Sequence, residues 1–149
     1  MKISQTGIDL IKSFEGLRLE AYLCSSGVPT IGYGSTYYPD KTAVKLGDKL
    51  KDKQHAEELF KLTLKKYEDS VNGLFFNVIL NQNQFDALVS FAYNVGPGAL
   101  AGSTLFRKAK INTKDESIAL EFAKWNLSGG KRSTGLTRRR KAESKLYFM

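Results

Sequence analysis

Sulfur and imidazole are nearly missing from this chain. Among its 149 residues there is one cysteine, Cys24, and one histidine, His55. A single thiol excludes an intrachain disulfide, so the fold cannot depend on an oxidising compartment. The same scarcity leaves too few ligands for an ordinary protein-ligated zinc site, and no metal or cofactor is expected. Apolar residues make up 42% of the chain, yet no run approaches the roughly 20 residues that span a bilayer. Met1 to Lys12 carries Asp9 and other polar residues where a signal peptide needs an unbroken apolar core, so no export route is expected. Negative charge is also short. Against 15 Asp and Glu stand 23 Lys and Arg, a formal charge of +8. That excess suits polyanionic partners, and nucleic acid, anionic lipid and peptidoglycan with its peptide carboxylates all qualify.

What is present is enough chain to bury a core as one compact unit. Ile8, Ile11 and Phe14 with Leu10 give a helical stripe over residues 7–15, opened by Thr6 as N-cap and stopped by Gly16. Ala21–Leu23 and Thr30–Tyr33 read as strands around Ser25-Ser26-Gly27, with a third strand near Thr42–Leu46. Pro29 and the Gly32/Gly34 pair predict a short, exposed or bent sheet. Asp52 can cap a long helix over 53–74, along which Ala56, Leu59, Phe60, Thr63, Tyr67, Val71 and Leu74 recur at three- and four-residue spacing. Beyond it the chain reads as helical: Phe85–Val95, begun by Asn83 or Gln84 and ended by Gly96-Pro97-Gly98, then Thr104–Lys110, Lys114–Trp125, and a basic last helix capped by Thr137 after a Ser128–Lys131 loop. The expected architecture is α+β: a β-containing lobe over about 15–52, a linking helix over about 53–74, and a helical lobe over about 75–149 on which the first helix packs. A cleft between lobes is the natural ligand site.

Glu15, Cys24 and Thr30 stand within one short segment, with eight residues between the first two and five between the last two, and Thr30 opens Thr30-Ile31-Gly32-Tyr33-Gly34. This pattern resembles the signature of the tailed-phage lysozymes or endolysins, glycoside hydrolases of family 24. The likeness extends along the chain. Gln84-Phe85-Asp86-Ala87-Leu88-Val89-Ser90-Phe91-Ala92-Tyr93-Asn94-Val95-Gly96 is similar to the central helix of those enzymes. Trp125, Gly129-Gly130 and Gly135-Leu136-Thr137-x-Arg139-Arg140-x-x-Glu143 are similar to their C-terminal segment. The resemblance implies a lysozyme-like fold and a muramidase that hydrolyses the β-1,4 bond between N-acetylmuramic acid and N-acetylglucosamine.

Cleaving that bond needs a proton on the leaving oxygen. Glu15, at the negative end of a helix dipole and within reach of Phe14 or Tyr33, is the candidate acid. The resemblance assigns the attacking water to Thr30, opposite Cys24 on the hairpin, and to Cys24 itself. Many relatives have Asp at the position of Cys24 and some have Cys; a neutral thiol is a poor base unless its pKa is depressed. Glu20 and Asp40 are fallback carboxylates outside the motif. Ser35 stands where relatives usually have a histidine that helps hold the lobe. Ser35 and Thr36, with Tyr93 and Asn94 on the opposite wall of the expected cleft, are the implied substrate-binding residues. On periodicity alone Tyr93 is core, as is Trp125. Gly32 and Gly34 either open a sheet face to a sugar or bend the strand.

Lys131, Arg132, Arg138, Arg139, Arg140 and Lys141 form a basic cluster. Arg139 and Glu143, at i,i+4 spacing, are expected to be partly structural, and the exposed remainder to draw the chain toward an anionic envelope. Phe148 and Met149 are expected to tuck onto the core. The chain is expected to act as a monomer on glycan strands, collecting in the host cytoplasm until a separate pore-former admits it to the wall. A lytic transglycosylase acting on the same bond is the nearest alternative. A non-catalytic basic module that binds wall or nucleic acid is a second.

Overall fold

Helix α1 runs from Gln5 to Glu15, two residues longer at its start than the apolar spacing predicts. The structure is a computed structural model that describes all of Met1–Met149. After α1 come β1 (Arg18–Leu23), β2 (Pro29–Gly32), α2 (Lys53–Leu74), α3 (Gln82–Val95), α4 (Pro97–Gly102), α5 (Thr104–Ile111), α6 (Ile118–Ala123), β3 (Leu127–Ser128), β4 (Lys131–Arg132) and α7 (Thr134–Tyr147). The residues form two compact units: Glu15–Lys66, and Met1–Phe14 together with Tyr67–Met149. The division falls inside α1 and α2, not at the ends of a separate linking helix.

Ser4, rather than Thr6, opens α1. Its carbonyl accepts from the Ile8 N–H at 3.0 Å, and its hydroxyl lies 3.5 Å from the Gly7 N–H. Ser4 is fixed from afar: its N–H donates to Asp86 Oδ1 at 3.0 Å and its hydroxyl to Asp86 Oδ2. Asp86 is fully buried on α3 and also accepts from Gln82 Nε2 at 2.8 Å. No local pattern could reveal a partner 82 residues away. Close approach also explains Gly7, where a Cβ would come within 2.5 Å of Ile3 Cγ1 and 2.9 Å of the Asp86 side chain.

The larger unit is organised around α3, whose residues from Gln84 to Tyr93 are all buried. A helix buried on every side must be enclosed by neighbours, and α4 and α7 pack on it. Phe85, Leu88, Phe91, Leu100, Leu105, Ile118 and Phe122 have no exposed surface. Phe91 stands edge-on to both Phe122 and Trp125, each at 5.6 Å, so Trp125 packs inward as its periodicity predicts.

One charged cluster lies within this packing. Glu143 on α7 is fully buried and accepts from Ser90 Oγ at 2.8 Å and Arg139 Nε at 3.1 Å, while Arg140 Nε pairs with its second oxygen at 2.8 Å. Burial pushes the Glu143 carboxyl up, and the Arg140 and Arg139 guanidiniums oppose that. The Arg139/Glu143 pair is thus structural, and it joins α7 to α3 through Ser90.

Several boundaries differ from expectation because side chains cap backbone earlier than the apolar pattern begins. Asn81 forms a capping box with Gln84 ahead of α3. Ser133, not Thr137, accepts from the Leu136 N–H at 3.2 Å and opens α7. The helix expected over 114–125 shrinks to α6 because Asp115 accepts from the Ser117 N–H and hydroxyl, at 2.9 and 2.7 Å, and holds a turn there. The expected Ser128–Lys131 loop is a two-residue turn that pairs β3 with β4.

The smaller unit holds the antiparallel β1–β2 hairpin and a core of Ile31, Tyr33, Val44, Leu50, Ala56, Leu59, Phe60 and Leu64. No third strand forms near 42–46; isolated bridges at Tyr37–Ala43 and Glu20–Lys49 take its place. Phe148 and Met149 stay exposed instead of tucking in, although the Phe148 ring touches Tyr147 at 4.9 Å.

Replacing Glu143 by Gln removes the buried carboxylate that Arg139 and Arg140 both meet. We expect a loss of about 3–5 kcal/mol in chemical denaturation, against less than about 0.5 kcal/mol for the exposed Lys53→Gln.

Candidate active site

Glu15 is the last residue of α1, and Gly16, at φ +68°, turns the chain out of the helix into β1. The hairpin pairs Arg18 with Gly32, Tyr22 with Thr30 and Leu23 with Pro29, with an irregularity between Arg18 and Tyr22. Its turn is closed by the Cys24 N–H donating to Val28 O at 3.0 Å and the Gly27 N–H donating to Cys24 O at 2.8 Å. Thr30 therefore stands opposite Tyr22, and Cys24 opposite Val28. Cys24 and Thr30 are diagonal neighbours on one sheet face, where side chains two residues apart point the same way.

Thr30 is buried and its hydroxyl donates to Val28 O at 2.9 Å. Cys24 is half-exposed, with Sγ 3.0 Å from Ser26 Oγ. The Ser26 hydroxyl is the chief cause that lowers the Cys24 thiol to about 7; the Val28 backbone and, more weakly, the Thr30 hydroxyl act the same way, and burial opposes them. A thiolate is thus accessible at neutral pH.

Tyr22 is the residue that reading the sequence missed. Burial raises its phenol first, then the Glu15 charge; Cys24 adds to this, and Arg18 works against it. The Arg18 guanidinium stands 4.5 Å above the Tyr22 ring. Glu15, Arg18 and Cys24 therefore converge electrostatically on one half-buried aromatic. The period-two spacing of Tyr22 and Cys24 is the available signal, and it is hidden by a strand that ends at Leu23, one residue before Cys24.

The other candidates fall elsewhere. Ser35 is 1% exposed, its hydroxyl 3.0 Å from Thr63 Oγ1 and its backbone exchanging two 2.9 Å bonds with Ile31. Thr36 is half-buried beside it. Gly32 and Gly34 take φ of +65° and +89°, so the backbone itself demands them. A Cβ on Gly32 would meet Leu50 at 3.4 Å, so the strand-bend reading holds there and no open face is left for a sugar. Tyr33 packs on Phe60 at 5.2 Å and donates to Glu57 at 3.0 Å. Glu20 is exposed. Asp40 is bound up in a turn, and the Thr42 hydroxyl and N–H hold its carboxyl low. His55 is exposed on α2, where Nδ1 accepts from the Lys51 N–H at 3.1 Å. Tyr93 and Asn94 lie at the end of α3 in the other unit; Tyr93 is 8% exposed with its ring 4.9 Å from Tyr67, and Asn94 is exposed. No group of three or more His, Cys, Asp or Glu side chains is placed to hold a metal ion, and no helix is long and apolar enough to cross a membrane.

A helix-borne Glu beside a hairpin, in a helix-rich α+β chain, defines a lysozyme-like protein. The phage lysozyme family model matches residues 12–143, and the chain belongs to that family. It is 44% identical over 156 residues to the endolysin of Bacillus phage B103, with 99% of this chain covered but 54% of that protein, so it spans about half the length of that relative. Among solved structures, the endolysin from Escherichia coli O157:H7 phage FAHEc1 superposes with a TM-score of 0.87 at 40% identity, covering 99% of this chain and 93% of that one. The muramidase domain of SpmX from Asticaccaulis excentricus superposes with a TM-score of 0.84 at 33% identity, covering 99% of this chain and 98% of that one.

The thiol makes the site's electrostatics measurable. Alkylation of Cys24 by iodoacetamide is expected to rise with pH about a midpoint near 7, because only the thiolate reacts. Ser26→Ala removes the main stabilising hydroxyl, and its midpoint should move upward.

Proposed function

We infer that this chain is a peptidoglycan muramidase, with Glu15 as general acid and Cys24 and Thr30 on the water side of the scissile bond. The observation that carries the reading is the geometry of one short segment: Glu15 ends α1, Gly16 turns the chain into β1, and the hairpin register sets Thr30 opposite Tyr22 and Cys24 opposite Val28 on the same face. That segment carries an acid at its start and, at the hairpin, a thiol lowered to about 7 that can accept a proton. Glu15 protonates the leaving oxygen as the bond breaks. The Cys24 thiolate takes a proton from a water that the Thr30 hydroxyl helps orient, and the water attacks the sugar from the opposite face. Such a path inverts the anomeric centre and needs room for that water between the two groups. It uses no cofactor. Membership in the phage lysozyme family and likeness to a muramidase domain support the choice of substrate.

In this reading Ser35 holds the turn after β2 against α2, Thr36 meets the glycan, and Tyr93 and Asn94 take part in sugar binding. The chain acts as a monomer, collects in the host cytoplasm, and reaches the wall through a separate pore-former to lyse the cell.

The test is turnover on purified peptidoglycan with analysis of the new ends. Glu15→Gln should lower the rate by about 10²–10⁴, and the parent should release hydrolysed N-acetylmuramic acid reducing ends. Anhydro ends would mean transglycosylation, and a Glu15→Gln variant as fast as the parent would remove Glu15 from the chemistry.

A further inference from the structure

The basic C-terminal segment divides between two tasks. Arg139 and Arg140 turn inward and both meet the carboxylate of Glu143. Arg140 also lines a cavity of about 270 Å³ in the larger unit, formed between α6, α7 and β4. Thr137, Arg140, Lys141 and Ser144 reach it from α7 at i, i+3, i+4 and i+7, one face of the helix. Arg132 enters from β4 and Asn126 from the segment before β3. On the α6 side the lining is alanine only, which leaves the space open.

The lining holds three cations and no carboxylate. Arg132 and Lys141 make no intramolecular ion pair, so their charge is available. The hydroxyls of Thr137 and Ser144 and the amide of Asn126 add neutral donors. A concave site that offers the Arg132 guanidinium, the Lys141 ammonium and neutral donors, with no carboxylate in its lining, is complementary to a multiply charged oxyanion, and the planar guanidinium matches phosphate oxygens in pairs.

We propose that this cavity is a binding site for a phosphate group, either free or within a phosphodiester polymer. The site lies wholly within one unit and does not depend on the reaction assigned to Glu15. It differs from diffuse attraction to an anionic surface because particular side chains carry it.

The experiment is a titration of the isotope-labelled full chain with inorganic phosphate, at constant ionic strength, followed by NMR. Saturable shifts are expected at the Asn126 side-chain amide and along the 137–144 face. The double variant Arg132→Gln/Lys141→Gln should bind at least about tenfold more weakly. A charge-matched control, Lys51→Gln/Lys53→Gln on the other unit, should change affinity by less than about twofold. A glycerol phosphodiester oligomer separates the two sources: comparable binding assigns a polymer, and binding of the free ion alone assigns a small phosphate. Shifts that never saturate, equal losses in both double variants, or acetate binding as tightly as phosphate would overturn the proposal. Both variants change exposed side chains, and an unchanged far-ultraviolet spectrum verifies that they fold.

Discussion

The larger unit depends on a single carboxylate. Glu143 has no exposed surface and yet carries a charge-bearing group into the packing between α3 and α7, where Ser90, Arg139 and Arg140 surround it. Taking these groups out of water costs several kcal/mol per ion, and only their mutual attraction and hydrogen bonds offset it. The arrangement therefore specifies as much as it stabilises. A slip of α7 by one residue would carry Arg139 and Arg140 away from Glu143 while keeping them among Phe91, Phe14 and their neighbours. The rings above which the guanidiniums sit, Phe91 for Arg140 at 4.9 Å and Phe14 for Arg139 at 5.6 Å, bring α1 and α3 into the same constraint.

The periodic parts of the fold were legible in the sequence. The long helix α2 begins and ends where Asp52 and the spacing of Ala56, Phe60 and Val71 predict, and the hairpin brackets Ser25–Gly27. Illegible parts share one cause: a polar side chain bonded to backbone or to a distant residue. Ser4 is held by Asp86, Asn81 by Gln84, and the start of α6 is delayed by Asp115. Apolar periodicity carries no information about such bonds. The short lengths of β3 and β4 left no alternation to detect.

For the candidate site, the spacing of Glu15, Cys24 and Thr30 marked a segment but carried no information on its register. Thr30 pairs with Tyr22, and the irregularity between Arg18 and Tyr22 shifts which side chains share a face. A bulge adds a residue without any composition signal. The thiol illustrates a second gap. Ser26 lowers it to about 7 through a hydroxyl two positions away in the turn, an effect that reference chemistry for an isolated cysteine cannot supply. Ser35 is a further case: the resemblance implied a substrate-binding residue at the position of a lobe-holding histidine, and its hydroxyl lies buried against Thr63 in the packing.

The division into two units places the sole cysteine in one and the sole tryptophan in the other: Cys24 lies in Glu15–Lys66, and Trp125 in Tyr67–Met149. Indole emission therefore reports on one unit, and a fluorophore attached at the thiol reports on its counterpart. No engineered residue is needed to follow each through a denaturant series. Coincident transitions would describe one cooperative molecule, and separate ones would reveal that half of it can open alone.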